Sequence, residues 1–265
     1  MGELVFVGLG LHDEKGISVK GLEEAKTAAK VFLELYTSLL PGFSLENLET
    51  LTGRRVQVVV RRDLEDDDGR IVLDAAAAGK AVFLVPGDPF VATTHVSLRL
   101  EAAKRGVKTR IVHAASIVSA VAGLSGLHSY KFGKTVTVPF PENFSETPYN
   151  VIAQNRERGL HTLCLLDLKA DEKRFLSVND ALALLMEMEK KKQKGAVALD
   201  SFAVGFARVG SDLPVLRADT VNRLSGFDFG APPHCLVFLG ALHFMEADSL
   251  VAFAGAPVEL RRVAR

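Results

Sequence analysis

Apolar positions along the chain alternate between short continuous runs and helically spaced sets, and this alternation predicts a β/α order. Leu4 to Leu9 is an apolar run enclosing Gly8 and ending at Gly10, the pattern of a buried strand that enters a tight turn. Behind Ser18, the residues Leu22, Ala25 and Ala29 share one helical face, and Val31-Phe32-Leu33 follows as a strand. Val56 to Val60 and Ala81 to Val85 are further strand-length runs, separated by a helix from Ile71 to Ala78 that Gly79 closes. A helix over Thr94 to Arg105 stops at Gly106 and feeds a strand from Lys108 to Val112, after which Ser116 to Leu124 reads as helix again. Strands alternating with helices imply a mostly parallel sheet.

Turn residues then accumulate at Gly123, Gly126, Gly133, Pro139, Pro141 and Pro148, which puts the expected domain boundary near Lys131 to Val138. The expected domains are an N-terminal α/β domain over 1–130 and a C-terminal α/β domain over 131–265. The second half predicts helix Tyr149 to Arg158, strand Thr162 to Leu168, helix Val178 to Lys192, strand Ala196 to Arg208 and a late strand Leu236 to Leu239. That order suits a mixed sheet. The short charge runs beginning at Asp63 and Lys190 read as solvated faces.

Composition narrows the function classes. Thirty-two basic side chains balance thirty-two acidic ones, so the chain lacks the bulk positive field that draws proteins to nucleic acid or anionic lipid. No basic leader and no long uninterrupted apolar stretch is present, and the expectation is a cytoplasmic protein without a membrane partner. Cys164 and Cys235 both lie in apolar runs, as buried free thiols do in a reducing compartment.

Candidate chemistry is sparse. The histidines at 12, 95, 113, 128, 161, 234 and 243 are never three or four apart, so no metal-site spacing exists. Neither a nucleophile elbow nor a nucleoside-triphosphate loop occurs. Gly8 and Gly10 begin a dinucleotide fingerprint, but Asp13 stands where the third glycine belongs; a tight turn and a ligand approach remain equal readings. The most specific local signal is Pro86-Gly87-Asp88-Pro89, a stiff loop around one carboxylate directly after an apolar strand. It suits ligand binding at the carboxyl end of a sheet better than an ordinary connection. Ser116 in His113-Ala114-Ala115-Ser116-Ile117 is a candidate helix cap, with exposed amide groups facing a ligand as the functional alternative. His95 in Thr93-Thr94-His95 and His234 behind Pro232-Pro233 are expected to be structural.

These segments together, with Tyr130-Lys131-Phe132-Gly133 and Arg158-Gly159-Leu160-His161-Thr162-Leu163, resemble the diphthine synthases, a branch of the tetrapyrrole methylase superfamily. The order and spacing match along nearly the whole chain. Gly-Asp-Pro after a strand belongs to the superfamily; Thr-Thr-His, Tyr-Lys-Phe-Gly and Arg-Gly-Leu-His-Thr-Leu are more particular to this branch. The resemblance implies a homodimer of two-domain subunits that hold S-adenosylmethionine in the cleft between the domains and release S-adenosylhomocysteine. It also implies a substrate, the amino group of a 3-amino-3-carboxypropyl-histidine on translation elongation factor 2, methylated to diphthine during diphthamide biosynthesis. Carried over by motif, the cofactor-binding positions are Leu11, Asp88, Val91, Ser116, Ile117, Leu166, Ala207, Val209 and His234. No catalytic base and no metal is implied. A tetrapyrrole-precursor C-methyltransferase is the enzymatic alternative, and a non-catalytic S-adenosylmethionine sensor the alternative of another class.

Overall fold

β1 (Glu3–Gly8), β2 (Lys30–Glu34), β3 (Val56–Val59), β4 (Lys80–Val85) and β5 (Lys108–Val112) form one sheet in the order β3-β2-β4-β1-β5. Every pairing in it is parallel. The computed structural model describes residues 2–170 and 172–264. Both faces of this sheet are covered, which is why its strands read as continuous apolar runs rather than alternating ones. Val5, Val7, Leu33, Val82 and Leu84 pack with Ala25 and Leu48 from the helices Val19–Lys26 and Leu45–Thr52. Their strand neighbours Leu4, Phe6, Phe32 and Phe83 pack instead with Leu73 and Leu98 from the helices Arg70–Ala78 and Val96–Lys104. Ser18 caps the first of these helices by accepting from the Gly21 amide at 3.1 Å.

In the second half, β6 (Val136–Val138) runs parallel to β7 (Thr162–Leu166), and a short hairpin of β8 (Leu168–Lys169) and β9 (Arg174–Phe175) follows. β10 (Phe202–Ala207), β11 (Val215–Thr220) and β12 (His234–Phe238) complete a mixed sheet in the order β11-β10-β12-β7-β6. The helices Thr147–Glu157 and Val178–Lys192 bring Tyr149, Ile152, Leu182 and Leu185 against Cys164, Ala203, Leu236 and Phe238 of this sheet. Both cysteines are free and buried. No helix among the described residues is long and apolar enough to cross a membrane.

The chain divides into two compact units, Met1–Ile117 and Val118–Arg265, so the division falls earlier than the expected boundary after residue 130. The physical reason is that the segment expected to be a linker is built into the second unit. His161 donates its amide to the Lys131 carbonyl and Gly133 its amide to the His161 carbonyl, both at 2.8 Å, and β6 pairs immediately after. Gly126, just past the helix Ile117–Ser125, lies close against Ser249 of the helix Phe244–Phe253. The expected strand from Ala196 is shorter than predicted because Ala198 to Ser201 is a turn, closed by a 2.9 Å amide bond.

Candidate functional site

From β1 the chain winds through β2 to β3 on one side, whereas from β4 it crosses β1 to reach β5 on the other. The winding therefore reverses between β1 and β4, and the crevice outside the carboxyl ends of strands at such a point is where open parallel sheets take ligands. The loops leaving β1 and β4 are tied together there. Leu9 donates to the Val85 carbonyl at 2.8 Å, and Gly10 and Gly87 exchange amide hydrogen bonds of 3.2 and 2.7 Å. Gly10 and Gly87 have φ of +75° and +68°, a conformation that glycine adopts without strain.

Gly8 explains how three loops meet. A Cβ on it would lie 2.5 Å from the Gly87 carbonyl oxygen and 2.6 Å from the Ala114 Cβ. Its missing side chain opens the gap through which Asp88, beyond β4, reaches over the end of β1 to the segment beyond β5. The buried Asp88 accepts from the Phe90 amide at 3.1 Å on one oxygen. On the other it meets His113 Nδ1 at 2.7 Å and the Ala114 amide at 3.3 Å. His113 itself is largely exposed, at 71% of its side chain.

Behind this loop lies a buried support. Thr93 Oγ1 and His95 Nδ1 both donate to the Pro89 carbonyl, at 2.8 and 3.1 Å, so the Thr-Thr-His motif fixes the loop that carries Asp88. His95 Nε2 faces Glu34 Oε1 at 3.7 Å. Burial pushes the Glu34 carboxyl up and the His95 imidazole down, so both favour their neutral forms despite the amides of Tyr36 and Thr37 that bind the carboxylate.

Among the expected cofactor positions, Leu11, Asp88, Val91, Ser116 and Ile117 all lie on segments leaving the carboxyl ends of β1, β4 and β5. Val91 donates to the Asp88 carbonyl at 3.3 Å, and Ser116 is buried directly ahead of the helix Ile117–Ser125. In the second unit, Leu166 ends β7, Ala207 ends β10 opposite His234, and Val209 follows in the turn. Since Cys235 pairs with Leu165, these four residues share one end of the mixed sheet. His234 already uses both ring nitrogens: Nδ1 accepts from the Val178 amide at 3.4 Å, and Nε2 lies 3.1 Å from the Gly230 carbonyl. Burial holds its imidazole below the ordinary range.

The motifs Tyr-Lys-Phe-Gly and Arg-Gly-Leu-His-Thr-Leu converge on a residue that sequence reasoning passed over. Glu246, fully buried at the start of the helix Phe244–Phe253, accepts from the His128 and His243 amides at 2.8 Å each, from His161 Nε2 at 3.0 Å, and from Lys131 Nζ. His161 Nδ1 accepts from the Gly240 amide at 3.0 Å, which fixes the ring with its proton on Nε2. Burial alone would raise the Glu246 carboxyl; the bonds from His161, the His243 amide, Lys131 and the His128 amide outweigh it and hold it well below the usual carboxylate range. No group of three or more His, Cys, Asp or Glu residues suited to a metal ion occurs among the described residues.

Residues 3–199 match the family of tetrapyrrole (corrin/porphyrin) methylases. The chain is 48% identical over 254 residues to the diphthine synthase of Methanocella arvoryzae, covering 95% of this chain and 98% of that one. It is 49% identical over 264 residues to that of Methanosarcina mazei, with 97% and 98% covered. A crystal structure of a diphthine synthase superposes with a TM-score of 0.89 at 46% identity, covering 98% of this chain and 99% of that one. The chain belongs to the tetrapyrrole methylase family and, within it, to the diphthine synthases. It is an enzyme, a methyltransferase that draws on a methyl donor of the S-adenosylmethionine type.

Proposed function

We propose that this enzyme methylates the amino nitrogen of the 3-amino-3-carboxypropyl group on a modified histidine of translation elongation factor 2, the step that yields diphthine in diphthamide biosynthesis. The observation that carries the reading is the near-half identity, over almost the full length of both chains, to the diphthine synthase of Methanosarcina mazei. The donor is S-adenosylmethionine and the product S-adenosylhomocysteine. The enzyme works in the cytoplasm as a homodimer, and its two buried free thiols accord with a reducing compartment.

The residues at the switch point fit such a donor. A Cβ at Gly87 would meet nothing within 4 Å, so the loop presents an open backbone face beside the carboxyl ends of β1 and β4. Leu11, Asp88, Val91, Ser116 and Ile117 would hold the donor at this edge. When bound, the donor supplies a methyl group already activated by sulfonium charge, so the protein has to place a neutral amine in line at about 3 Å and exclude water. The loop fixed by Thr93 and His95 supplies that rigidity in the first unit.

The test is methyl transfer from labelled S-adenosylmethionine to elongation factor 2 that carries the aminocarboxypropyl histidine, with the unmodified factor as control. Label on the modified factor alone is the expected result. Donor binding with no transfer to either overturns the substrate and directs attention to a tetrapyrrole precursor or to a sensing role.

A further inference from the structure

We propose that His113 is the proton acceptor of the reaction, with Asp88 as the residue that orients it; this rests on the amine substrate proposed above. Methylating an amine has a requirement that donor binding does not meet. An alkylammonium has no lone pair, so a proton must leave the nitrogen before attack, and another must leave if the methylated product is to react again.

The geometry is that of a base and its orienter. His113 Nδ1 lies 2.7 Å from an oxygen of Asp88, which is buried and further held by the Phe90 and Ala114 amides. A carboxylate accepts only, so Nδ1 carries the proton, and in the neutral ring it is Nε2 that holds the lone pair. Nε2 has no partner among the described residues, and the ring is 71% exposed at the carboxyl edge of the sheet. Asp88 is the only charged group paired with it among the described residues. A purely structural histidine has its ring enclosed and both nitrogens bonded, as His161 does. His113 has one nitrogen fixed and the other presented outward.

In the step itself, one N–H bond of the substrate ammonium breaks, its electron pair stays on nitrogen, and the proton passes to His113 Nε2. The freed pair forms the new N–C bond as the donor's S–C bond breaks with its electrons left on sulfur. The imidazolium, paired with the Asp88 carboxylate, then releases its proton to solvent through the exposed ring edge, which restores the base for a further round.

The test compares wild type with His113→Gln and His113→Ala on the full-length enzyme. S-adenosylhomocysteine affinity by calorimetry is expected to stay within about twofold, while single-turnover methyl transfer at neutral pH falls by roughly 10²–10⁴-fold. Raising the pH should recover part of the loss, and added imidazole should rescue the alanine variant. Independently of activity, ¹⁵N imidazole spectra of the free enzyme should show His113 with its proton on Nδ1, and Asp88→Asn should shift that tautomer. Undiminished transfer in His113→Gln, a matching loss of S-adenosylhomocysteine affinity, or an Nε2-protonated ring would each overturn the assignment. Failure of the wild type to methylate the modified factor would instead overturn the proposed substrate.

Discussion

Replacing Glu246 by alanine tests how much of the second unit hangs on one carboxylate. The substitution leaves two backbone amides, a fully buried imidazole and the Lys131 ammonium without their acceptor. Removing one partner of a buried ion pair typically costs about 3–5 kcal/mol, because the remaining charge stays desolvated. With about 2–4 °C of melting shift per kcal/mol for a chain of this size, the expected drop in Tm is roughly 6–20 °C. Glu246→Gln keeps the shape and one acceptor oxygen, and should lose about 1.5–3 kcal/mol. Differential scanning calorimetry of the full chain measures both. The pH dependence gives a second check. The folded-state pKa of Glu246 is depressed, so its stabilisation is fully present above the unfolded carboxyl pKa of about 4.3 and is lost as pH falls below it. The wild-type Tm should fall more steeply than that of Glu246→Gln below about pH 5. An alanine variant melting within about 2 °C of wild type would refute the network's role, since even the low end of the range predicts more.

Three further substitutions probe the site. Gly8→Ala should lower donor affinity by about tenfold or more at a cost of roughly 1–3 kcal/mol in stability, because the new methyl overlaps the Gly87 carbonyl and Ala114; calorimetric titration and a melt read both. Asp88→Ala should weaken S-adenosylhomocysteine binding by about tenfold while the chain stays folded, since it unties the Phe90 and Ala114 amides at one exposed edge; unchanged affinity would remove Asp88 from the donor site. His234→Ala should weaken binding less than Asp88→Ala does, and a stability loss above about 2 kcal/mol with unchanged affinity would make it a support for the helix Val178–Lys192 alone.

The first unit was largely legible because burial on both sheet faces turns each strand into an apolar run that glycine or proline stops. The Pro86 to Pro89 loop stood out for the same reason. Strand order was not legible. Asp88 and His113 are brought together only because β1 lies between β4 and β5 and ends in Gly8, and no local pattern encodes that neighbourhood. A sequence reading therefore found the carboxylate, and took His113 only as part of the lead-in to a helix. In the second unit the turn residues from Gly123 to Pro148 suggested a linker, yet Lys131 and Gly133 hydrogen-bond to His161 across a long separation, and β6 pairs within the same stretch. The helix Phe244–Phe253 escaped notice because its large apolar residues Phe244, Met245 and Phe253 are exposed while Glu246 is buried beside Ala247 and Leu250, which blurs the apolar stripe of an ordinary amphipathic helix.

The motifs that separate this branch from the wider family therefore divide by job rather than by location. Thr93 and His95 act behind the loop on the Pro89 carbonyl, Lys131 and His161 secure the start of a helix through Glu246, and Gly133 is glycine because Asn155 Oδ1 would lie 2.3 Å from any Cβ. Each of these residues is accounted for by contacts inside its own unit, so none need touch a substrate to be required. The protein substrate proposed above would be met by side chains that folding leaves exposed. Tyr130 has 79% of its surface exposed; its ring stacks on His128 at 5.2 Å and its hydroxyl lies 3.0 Å from His128 Nδ1, so most of the ring faces solvent. Tyr130→Ala should accordingly lower Tm only slightly, by the loss of the exposed contact with His128, leave donor affinity unchanged, and raise KM for the proposed protein substrate; an unchanged KM would remove this surface from docking.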